Sequence, residues 1–555
     1  MRDGKRSGHE KRTWRGALRE HRRSAVVILA VWIYLFVHLF YFFRFEGIRY
    51  ITLFIFLGAA ISMGLTLLVF WLLYVRKKEP ASLFVPLYLV MALVFLLFLP
   101  VGQGPDEQSH LRSVYALSNS ILGIENTENG ELIMRKADKE FQILAGDVHP
   151  GDFQAYWERT VQSLSDRDAQ LVRTDQKVSA QNPYSFLPQA LGLTLGRLLG
   201  LPAFVAFLMG RGANLLFFLI MAALSIRLLP SGKMILFVLA LTPMSLQQTA
   251  TLSYDAVLSG TAFFIISMTA HLLDGEKKHK GLKLVILLLF CLLILPLKGF
   301  AYAPLGFLPV LLLIRRRSHA LATSPDEHKL SPRRVGAISA VVAVFVLVVS
   351  VAVIPRFGGV AMSEQAGAEA AIPDVDISQG EVYGGKLSYT DEPGYTLEYF
   401  AHFPDETLPV YFNTVHTYGD WYLETMIGDR LGWLSIHVSR LLVYGYVLLL
   451  FLAAMYQNGE EKLLSRTESV VANALALFSV LFVFGGMLLA WSPIRLRIIS
   501  GVQGRYFIPL VLIPLLTLRP QRLHKEDSVN ASLVLVITLM FFFVIKYLLL
   551  GLNPV

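Results

Sequence analysis

The chain has 555 residues, of which 54% are hydrophobic and only 16% are charged, and its mean hydropathy is +0.54. Soluble domains carry about 25% charged residues, so this composition excludes an ordinary soluble, disordered or fibrous protein and predicts an integral membrane protein. The formal net charge is +9, and the single cysteine, Cys291, excludes an intramolecular disulfide. Because the apolar runs are continuous and do not alternate, they predict an all-α polytopic fold and not a membrane barrel.

Apolar runs long enough to cross a bilayer, about 18 residues or more, predict about thirteen transmembrane helices. In chain order, they lie near residues 24–43, 49–75, 82–100, 202–226, 234–252, 255–273, 282–296, 299–314, 336–354, 432–455, 468–490, 504–518 and 530–550. Residues 1–23 hold nine Lys and Arg against three acids, which predicts a cytoplasmic N-terminus and an uncleaved anchor. Residues 24–555 are expected to form a single transmembrane domain.

The loops between these spans fall into two sets by charge. Two long polar loops, over residues 101–201 and 356–430, contain 26 of the 41 Asp and Glu residues. The basic loops alternate onto the opposite side, and they are residues 76–78, 277–283, 315–334 and 519–525. Because short loops rich in Lys and Arg stay in the cytoplasm, the two long loops are expected to face outward.

One apolar stretch does not fit this alternation. Asn182-Pro183-Tyr184 leads into residues 189–200, which are apolar but too few for a span. A span there would move the basic loop 315–334 to the outer side. We therefore predict an external helix that lies in the membrane interface or re-enters the membrane.

Several acidic residues follow the third predicted span directly. Pro105, Asp106 and Glu107 come after a turn with two glycines, and His110 follows. If a helix begins near Pro105, Asp106 and His110 share one face. These acids could form a carboxylate pair that accepts a proton or binds a metal. The alternative is an ordinary helix start, where Pro and acidic residues are also favoured.

Other charged residues are expected on the same outer face. Asp255 begins a predicted span, where it is either a helix cap or a site residue. Lys298 lies in a very short outer turn and is interpreted as an anion ligand. Arg211 lies in the outer half of a span, where an arginine is usually paired or lines a pathway. Arg505 is interpreted as a phosphate ligand, with pairing to an acid of the outer loops as the alternative.

Aromatic residues recur near the end of the second long loop. Residues 416–424 combine Tyr418, Trp421 and Tyr422 with His416 and Asp420. Such a segment is typical of the aromatic belt at a membrane interface. Aromatic rings beside acidic and imidazole groups also form sugar-binding surfaces, and both interpretations stay open.

Common motifs of soluble catalytic domains are missing from the sequence. It contains no Walker phosphate loop, no H-E-x-x-H helix and no G-x-S-x-G nucleophile turn. The largest predicted inner loop, residues 315–334, is too small to hold a nucleotide-binding domain. The sequence therefore favours a reaction that needs no cytoplasmic nucleotide site.

Taken together, the polar motifs resemble a bacterial membrane-protein family, the one numbered 2142 among the domains of unknown function. The resemblance covers about residues 80–520 and rests on Pro105-Asp106-Glu107-x-x-His110, Asn182-Pro183-Tyr184, Ser253-Tyr254-Asp255, Lys298-Gly299, Gly428-x-x-x-Gly432-Trp433 and Gly504-Arg505-Tyr506-Phe507-x-Pro509. That family is similar to the GT-C superfamily of membrane glycosyltransferases, which implies a GT-C-like fold in the bacterial plasma membrane.

The resemblance implies that a sugar is transferred from a polyprenyl-phosphate donor to a glycan or lipid acceptor on the non-cytoplasmic face, with inversion at the anomeric carbon. Asp106, with Glu107 beside it, would act as general base or as ligand of a divalent cation, Mg²⁺ or Mn²⁺, with Asp255 as a further ligand. The residues expected to bind substrate are His110, Arg211, Tyr254, Asp255, Lys298, Arg505 and Tyr506.

The expected partners are the lipid bilayer, the lipid-linked sugar and the acceptor, and no nucleic acid. Two other functions stay open. One is a flippase or transporter of lipid-linked saccharides, which predicts charges near the bilayer midplane and internal repeats. The other is a polysaccharide polymerase or ligase, in which outer arginines and not Asp106 would be indispensable.

Overall fold

The part of the chain that can be described is mostly helical. The computed structural model describes residues 14–43, 49–128, 130–146, 153–178, 182–275, 279–322, 392–456, 464–518 and 526–552. Outside these residues lie the predicted span 336–354, the basic segment 519–525 and parts of the loops 315–334 and 356–430.

Most of the longer helices coincide with apolar runs of the sequence, whereas others lie in the two predicted polar loops. In the described residues they are α1 (Trp14–Glu20), α2 (Arg22–Phe43), α3 (Arg49–Phe70), α4 (Phe84–Phe98), α5 (Glu107–Leu122), α6 (Lys136–Gly146), α7 (Phe153–Ser163), α8 (Pro183–Leu198), α9 (Ala203–Leu228), α10 (Lys233–Ala240), α11 (Pro243–Thr249), α12 (Asp255–Leu273), α13 (Lys280–Ile294), α14 (Val310–Ala322), α15 (Leu397–His402), α16 (Pro404–Ile427), α17 (Arg440–Met455), α18 (Arg466–Trp491), α19 (Ile508–Thr517) and α20 (Glu526–Leu552).

Within the described residues, six helices are long and apolar enough to cross a membrane. They are Thr52–Val75, Pro80–Phe98, Ala203–Leu228, Asp255–Leu273, Arg466–Trp491 and Val529–Gly551. All six coincide with predicted spans, which confirms a helical, multi-pass membrane protein. The helices Arg440–Met455 and Gly504–Thr517 are apolar but shorter, so the predicted number of thirteen spans stays a prediction.

The prediction of one continuous span over residues 234–252 is wrong. The segment forms two short helices, α10 and α11, that meet at Thr242 and Pro243. Proline has no backbone N–H to continue the first helix, and Thr242 caps the second through its side chain. Since this segment is almost completely buried, protein and not lipid surrounds the broken backbone, as the membrane interior requires.

The first long loop contains a small domain that is not purely helical, and its short strands are a minor part of a fold that agrees with the predicted all-α class. Helices α5, α6 and α7 accompany a three-stranded antiparallel sheet of β1 (Thr127–Glu128), β2 (Glu131–Arg135) and β3 (Leu171–Lys177). The order of the strands is β1-β2-β3, and Ile133 pairs with Arg173. This domain lies against the end of α4 through Tyr156, whose hydroxyl accepts a hydrogen bond of 3.0 Å from the Val101 amide.

The second long loop also holds more structure than its sequence suggested. Helix α16 has 24 residues and lies within the predicted loop 356–430. A hairpin of β4 (Arg430–Leu431) and β5 (Ile436–His437) follows it. Gln247 of α11 exchanges hydrogen bonds with the backbone of Gly432 in this hairpin, and Gly428, which follows α16, lies against Pro243 and Met244 of the broken helix.

Helix α8 forms where the sequence predicted an external helix, and its two faces differ. Asn182 caps it by accepting a hydrogen bond of 2.9 Å from the Tyr184 amide. One face packs closely on α9, while Leu187, Leu191 and Leu195 leave an exposed apolar stripe along the other. An apolar stripe beside a polar domain is typical of a helix at a membrane interface.

Replacing Gly192 by Ala is expected to destabilise the protein by roughly 1–3 kcal/mol, the usual cost of overpacking. A Cβ at residue 192 would overlap the Met209 carbonyl and lie 2.7 Å from the Ala213 Cβ. Thermal unfolding in detergent measures the change. Gly64→Ala is the matched control, because nothing lies within 4 Å of a Cβ there and alanine favours a helix. Equal unfolding temperatures of the two variants would contradict the close α8–α9 contact.

Candidate active site

Glu107, at the start of α5, has a fully occupied carboxylate. It forms a bidentate ion pair with Arg211, with distances of 2.8 Å to Nε and 2.7 Å to Nη2, and both side chains are completely buried. Three backbone amides also donate to it at 3.0 Å, those of Gly102, Gly104 and Leu252. A carboxylate offers about four lone-pair positions, so these donors leave Glu107 no position for a metal ion or a transferred proton.

Arg211 of α9 in turn holds the end of α4. Its guanidinium donates to the carbonyls of Leu99 at 2.7 Å and Pro100 at 2.8 Å. The turn also needs a glycine at residue 104, because a Cβ there would lie 2.7 Å from the Thr251 side chain. The ion pair between Glu107 and Arg211 therefore fixes the turn that ends at Asp106.

Asp106 stands at the end of this turn with a left-handed backbone, at φ 58°. Its side chain is 44% exposed, whereas the side chain of its partner Arg505 is only 2% exposed. Arg505 Nη2 donates to Asp106 Oδ2, and Nη1 donates to the Pro105 carbonyl at 3.2 Å. A left-handed non-glycine residue is costly unless its surroundings impose it, and such residues concentrate at functional sites. Asp106 is thus a carboxylate that Arg505 fixes in place and that is still accessible to solvent.

Asp255 reaches the same arginine from the start of α12. It is buried, and its Oδ2 lies 3.1 Å from Arg505 Nε while its Oδ1 lies 3.5 Å from Lys298 Nζ. Arg505 therefore bridges the two carboxylates, Asp106 and Asp255. We define Asp106, Asp255, Lys298 and Arg505 as the charged cluster.

Lys298 enters the charged cluster from a strained turn after α13. Lys298, Gly299 and Phe300 all have left-handed backbones, at φ 50°, 61° and 66°. The ammonium lies 3.0 Å from the ring centroid of Tyr506 and 5.5 Å from that of Tyr254. Aromatic faces attract cations, so these rings stabilise a charge whose one ion pair within the described part of the chain, with Asp255, is long.

Arg505 is positioned by the helix that the sequence did not predict. Gly504 lies so close to α16 that a Cβ there would overlap the Tyr422 carbonyl, and its amide donates to Thr425 Oγ1 at 3.1 Å. The Tyr302 hydroxyl donates to the Tyr506 carbonyl at 2.7 Å. These contacts fix the short turn Gly504–Phe507, which carries Arg505 and Tyr506.

His110 forms the inner wall beside the charged cluster. It is buried, with its ring 4.8 Å from the Tyr254 ring and 5.6 Å from the Phe186 ring. Its Nδ1 is buried without a hydrogen-bond partner among the described residues. Burial lowers the pKa of His110 to about 4, so the imidazole is neutral at pH 7.

The charged cluster is electrically balanced, with two carboxylates and two cations. Burial raises the pKa of Asp106, but the positive charge of Arg505 and its neighbours outweighs burial and holds that pKa below its usual value. Burial lowers the pKa of Lys298 to about 8, against the attraction of Asp255. The lysine is therefore charged at neutral pH and loses its charge as the pH rises through about 8.

The predicted divalent cation does not fit this arrangement. The guanidinium of Arg505 lies between Asp106 and Asp255, and the third expected ligand, Glu107, is occupied. Within the described ranges, no group of three or more His, Cys, Asp or Glu side chains could hold a metal ion. We therefore derive no step through a metal.

Most of the predicted site residues meet in one place. The structure brings together Asp106, His110, Tyr254, Asp255, Lys298, Arg505 and Tyr506. Glu107 and Arg211 lie directly behind them but bind each other. These contacts therefore do not support the predicted role of Glu107 in catalysis or that of Arg211 in substrate binding. The functional roles of all nine residues stay predictions.

Two residues that build the site were missed in the sequence. Asn214 donates to the carbonyls of Thr251 at 2.8 Å and Ser253 at 3.0 Å, which holds the turn before Asp255. Tyr302 holds the turn of Tyr506. Asn214 follows Arg211 by one helical turn within an apolar span, and a polar residue in a membrane span is a signal that could have found it.

Comparison with known proteins gives one match. A family model described as "Predicted membrane protein (DUF2142)" matches residues 89–514, more than three quarters of the chain. No curated protein and no solved structure matches the chain. The matched range includes every residue of the charged cluster.

Proposed function

The chain belongs to the DUF2142 family of predicted membrane proteins, and we propose that it is a membrane glycosyltransferase. It moves a sugar from a polyprenyl-phosphate donor to a glycan or lipid acceptor of the bacterial cell envelope. One observation carries this proposal: the accessible carboxylate of Asp106 pairs with the buried Arg505, and Asp255 joins Arg505 to a second buried cation, Lys298. Transfer from a lipid phosphate needs this combination of a base and an anion site.

The reaction is a single displacement at the anomeric carbon. The acceptor hydroxyl oxygen forms a bond to that carbon while the bond to the phosphate oxygen breaks, so the configuration inverts. Asp106 takes the hydroxyl proton as the new bond forms. The phosphate leaves with the electron pair of the broken bond, and Lys298 and Arg505 stabilise the charge that develops on it. The proton, the sugar and the leaving phosphate are all accounted for in this step without a nucleotide or a metal ion.

The two cations have different capacities to bind the phosphate. Arg505 already donates to Asp106 and Pro105 and lies against Asp255. Among the described residues, Lys298 forms one ion pair, of 3.5 Å with Asp255, although an ammonium has three donors. We therefore assign the main contact with the phosphate to Lys298, and to Arg505 the orientation of Asp106.

The two ends of α12 support an outward orientation of the site. Asp255 begins this helix, and at its other end Arg315 donates to the Leu273 carbonyl at 2.7 Å and pairs with Glu468. Nineteen residues of helix span about 28 Å, close to the thickness of the hydrocarbon core. Arg315 begins the basic loop 315–334, which the positive-inside rule assigns to the cytoplasm. On this basis the charged cluster faces the non-cytoplasmic side.

The transporter alternative loses its main support in these contacts. Arg211 was the charge that suggested a pathway through the membrane, and it is bound by Glu107 at the start of α5 and by the Leu99 carbonyl at the end of α4. The polymerase or ligase alternative predicted that outer arginines, and not Asp106, are indispensable for activity. Arg495 and Arg497 are exposed, and Arg495 pairs with Glu392 at 3.1 Å. The accessible carboxylate favours transfer to a hydroxyl with Asp106 as base.

The activity is expected to fall as the pH rises through about 8, because Lys298 is cationic below its pKa and neutral above it. Lys298→Arg should move this fall to higher pH, since arginine stays charged. Lys298→Met should lower kcat by about 10²-fold, the usual cost of one charge-stabilising donor. The measurement is kcat/KM from about pH 6 to 10. An unchanged basic limb in Lys298→Arg would contradict the assignment.

The experiment that tests the function is sugar transfer by purified protein in nanodiscs, with a panel of polyprenyl-phosphate hexoses and pentoses. Release of the polyprenyl phosphate and the anomeric configuration of the product are followed together. We expect one donor to be consumed with inversion. Retention at the anomeric carbon would overturn the single displacement, and no release from any donor would overturn the proposed reaction.

A further inference from the structure

The turn between α11 and α12 brings Asp255 into the charged cluster, although the turn has no regular secondary structure of its own. Thr251, Leu252 and Ser253 are completely buried, so bulk water does not reach the backbone groups of this turn. A buried backbone group without a partner costs about as much free energy as a lost hydrogen bond. Side chains from other helices must therefore supply the partners.

Two amide side chains supply most of these partners. Asn214 of α9 donates through Nδ2 to the carbonyls of Thr251 at 2.8 Å and Ser253 at 3.0 Å. Gln189 of α8 donates through Nε2 to the same Ser253 carbonyl at 3.1 Å. Both amide side chains are completely buried. The Ser253 carbonyl is thus held from two helices at once.

The same turn leads directly to the cations of the charged cluster. Ser253 Oγ accepts a hydrogen bond of 3.2 Å from the Asp255 amide, which fixes the first residue of α12. The Asp255 carboxylate lies 3.5 Å from Lys298 Nζ and 3.1 Å from Arg505 Nε. A displacement of the Ser253 carbonyl would therefore change the distance between Asp255 and Lys298.

Packing between α8 and α9 does not by itself require an amide at either position. Burying an amide costs free energy unless its groups are hydrogen-bonded, and an apolar side chain would fill the same space without that cost. Gln189 Oε1 and Asn214 Oδ1 have no hydrogen-bond partner among the described residues. Each amide therefore contributes through its NH₂ group, which binds the turn.

We propose that Gln189 and Asn214 are positioning residues for the carboxylate of Asp255. They hold the Ser253 carbonyl and, through it, the distance between Asp255 and Lys298. Only the use of this arrangement in sugar transfer rests on the proposed function. The effect of the two amides on Lys298 is a property of the protein without substrate. When an amide is removed, Asp255 moves away and the ammonium loses an attraction that opposes the effect of its burial.

The test measures the ionisation of Lys298 in the full-length protein in nanodiscs, without any donor. Trace acetic anhydride is applied from about pH 6 to 11, and the acetylation of each lysine is followed by mass spectrometry. The Lys298 side chain is 13% exposed, and Lys136, at 46%, is the internal reference. Every variant retains the other groups that act on Lys298, which are Asp106, Tyr254, Arg505 and Tyr506.

Asn214→Leu should lower the Lys298 pKa from about 8 by about one pH unit, the smaller end of the shifts that a nearby opposite charge produces. Gln189→Met should lower it by less, because the Ser253 carbonyl keeps its bond to Asn214. For the same reason Gln189→Met is expected to stay folded, and it carries the test if Asn214→Leu does not fold.

Asn119→Leu is the matched control. Asn119 is a buried amide of α5 that donates to the Ile133 carbonyl at 2.9 Å in the small domain of the first long loop, so its loss should lower stability without changing the pKa of Lys298. A lower pKa in Gln189→Met but not in the control supports the proposal. An unchanged pKa in Gln189→Met, or an equal fall in the control, overturns it. Neither result depends on whether the protein transfers a sugar.

Discussion

Replacing Asp106 by Asn is expected to lower turnover by roughly 10²–10⁴-fold, the usual contribution of a general base, while the protein stays folded. Asparagine has the same shape but does not take up the proton of the acceptor hydroxyl. The side chain is 44% exposed, so the change leaves no buried unpaired charge at residue 106. Arg505 keeps its contacts with Asp255 and the Pro105 carbonyl, and the charged cluster should therefore keep its geometry.

Sugar transfer and thermal unfolding of Asp106→Asn are measured on the same nanodisc preparation. Glu140→Gln is the matched control, because Glu140 is an exposed carboxylate of the same outer domain. We expect the control to behave as the wild type in both measurements. Transfer that is unaffected in folded Asp106→Asn would move the base elsewhere and would favour the polymerase or ligase alternative.

Replacing Glu107 by Gln is expected to have the largest effect on stability, about 3–5 kcal/mol, which is the cost of removing one partner from a buried ion pair. Arg211 is completely buried, and its charge would then be compensated only by the carbonyls of Leu99 and Pro100. The amides of Gly102, Gly104 and Leu252 also depend on this carboxylate. Thermal unfolding in detergent and the yield of folded protein measure the loss.

The double variant Glu107→Gln, Arg211→Met is the control for this prediction. Removing the second charge as well should recover part of the stability. Replacing both members of a buried ion pair destabilises a protein less than replacing one member and leaving the other charge unpaired. If Glu107→Gln unfolds like the wild type and loses only sugar transfer, the ion pair is not structural. Glu107 would then act in the reaction, as the sequence first suggested.

The sequence was sufficient to predict the charged cluster. Asp106, Asp255, Lys298 and Arg505 each lie next to the end of an apolar run, so a consistent topology puts all four at one face of the membrane. Charged residues at such positions are costly unless they pair or function. The structure adds that they pair with each other, which the spacing of the motifs does not determine.

Sequence patterns did not predict contacts between residues that are distant along the chain. They also did not reveal helices whose apolar surface contacts protein and not lipid. The pairing of Arg211 with Glu107 joins residues 104 positions apart, and nothing local distinguishes Glu107 from Asp106. The break at Pro243 was hidden because α10 is apolar for contact with protein and not with lipid. Helix α16 carries polar, aromatic and proline residues in one segment, and such a mixture resembles a loop when its packing surface is unknown.

One measurement in proteoliposomes distinguishes sugar transfer from a polyprenyl phosphate by the charged cluster from movement of the intact lipid across the membrane. Donor is placed in the outer leaflet only, and the release of polyprenyl phosphate and the movement of intact donor to the inner leaflet are measured side by side. If the charged cluster transfers the sugar, polyprenyl phosphate is released, the release requires Asp106 and Lys298, and no intact donor moves. Movement of intact donor without release would contradict it and identify a flippase.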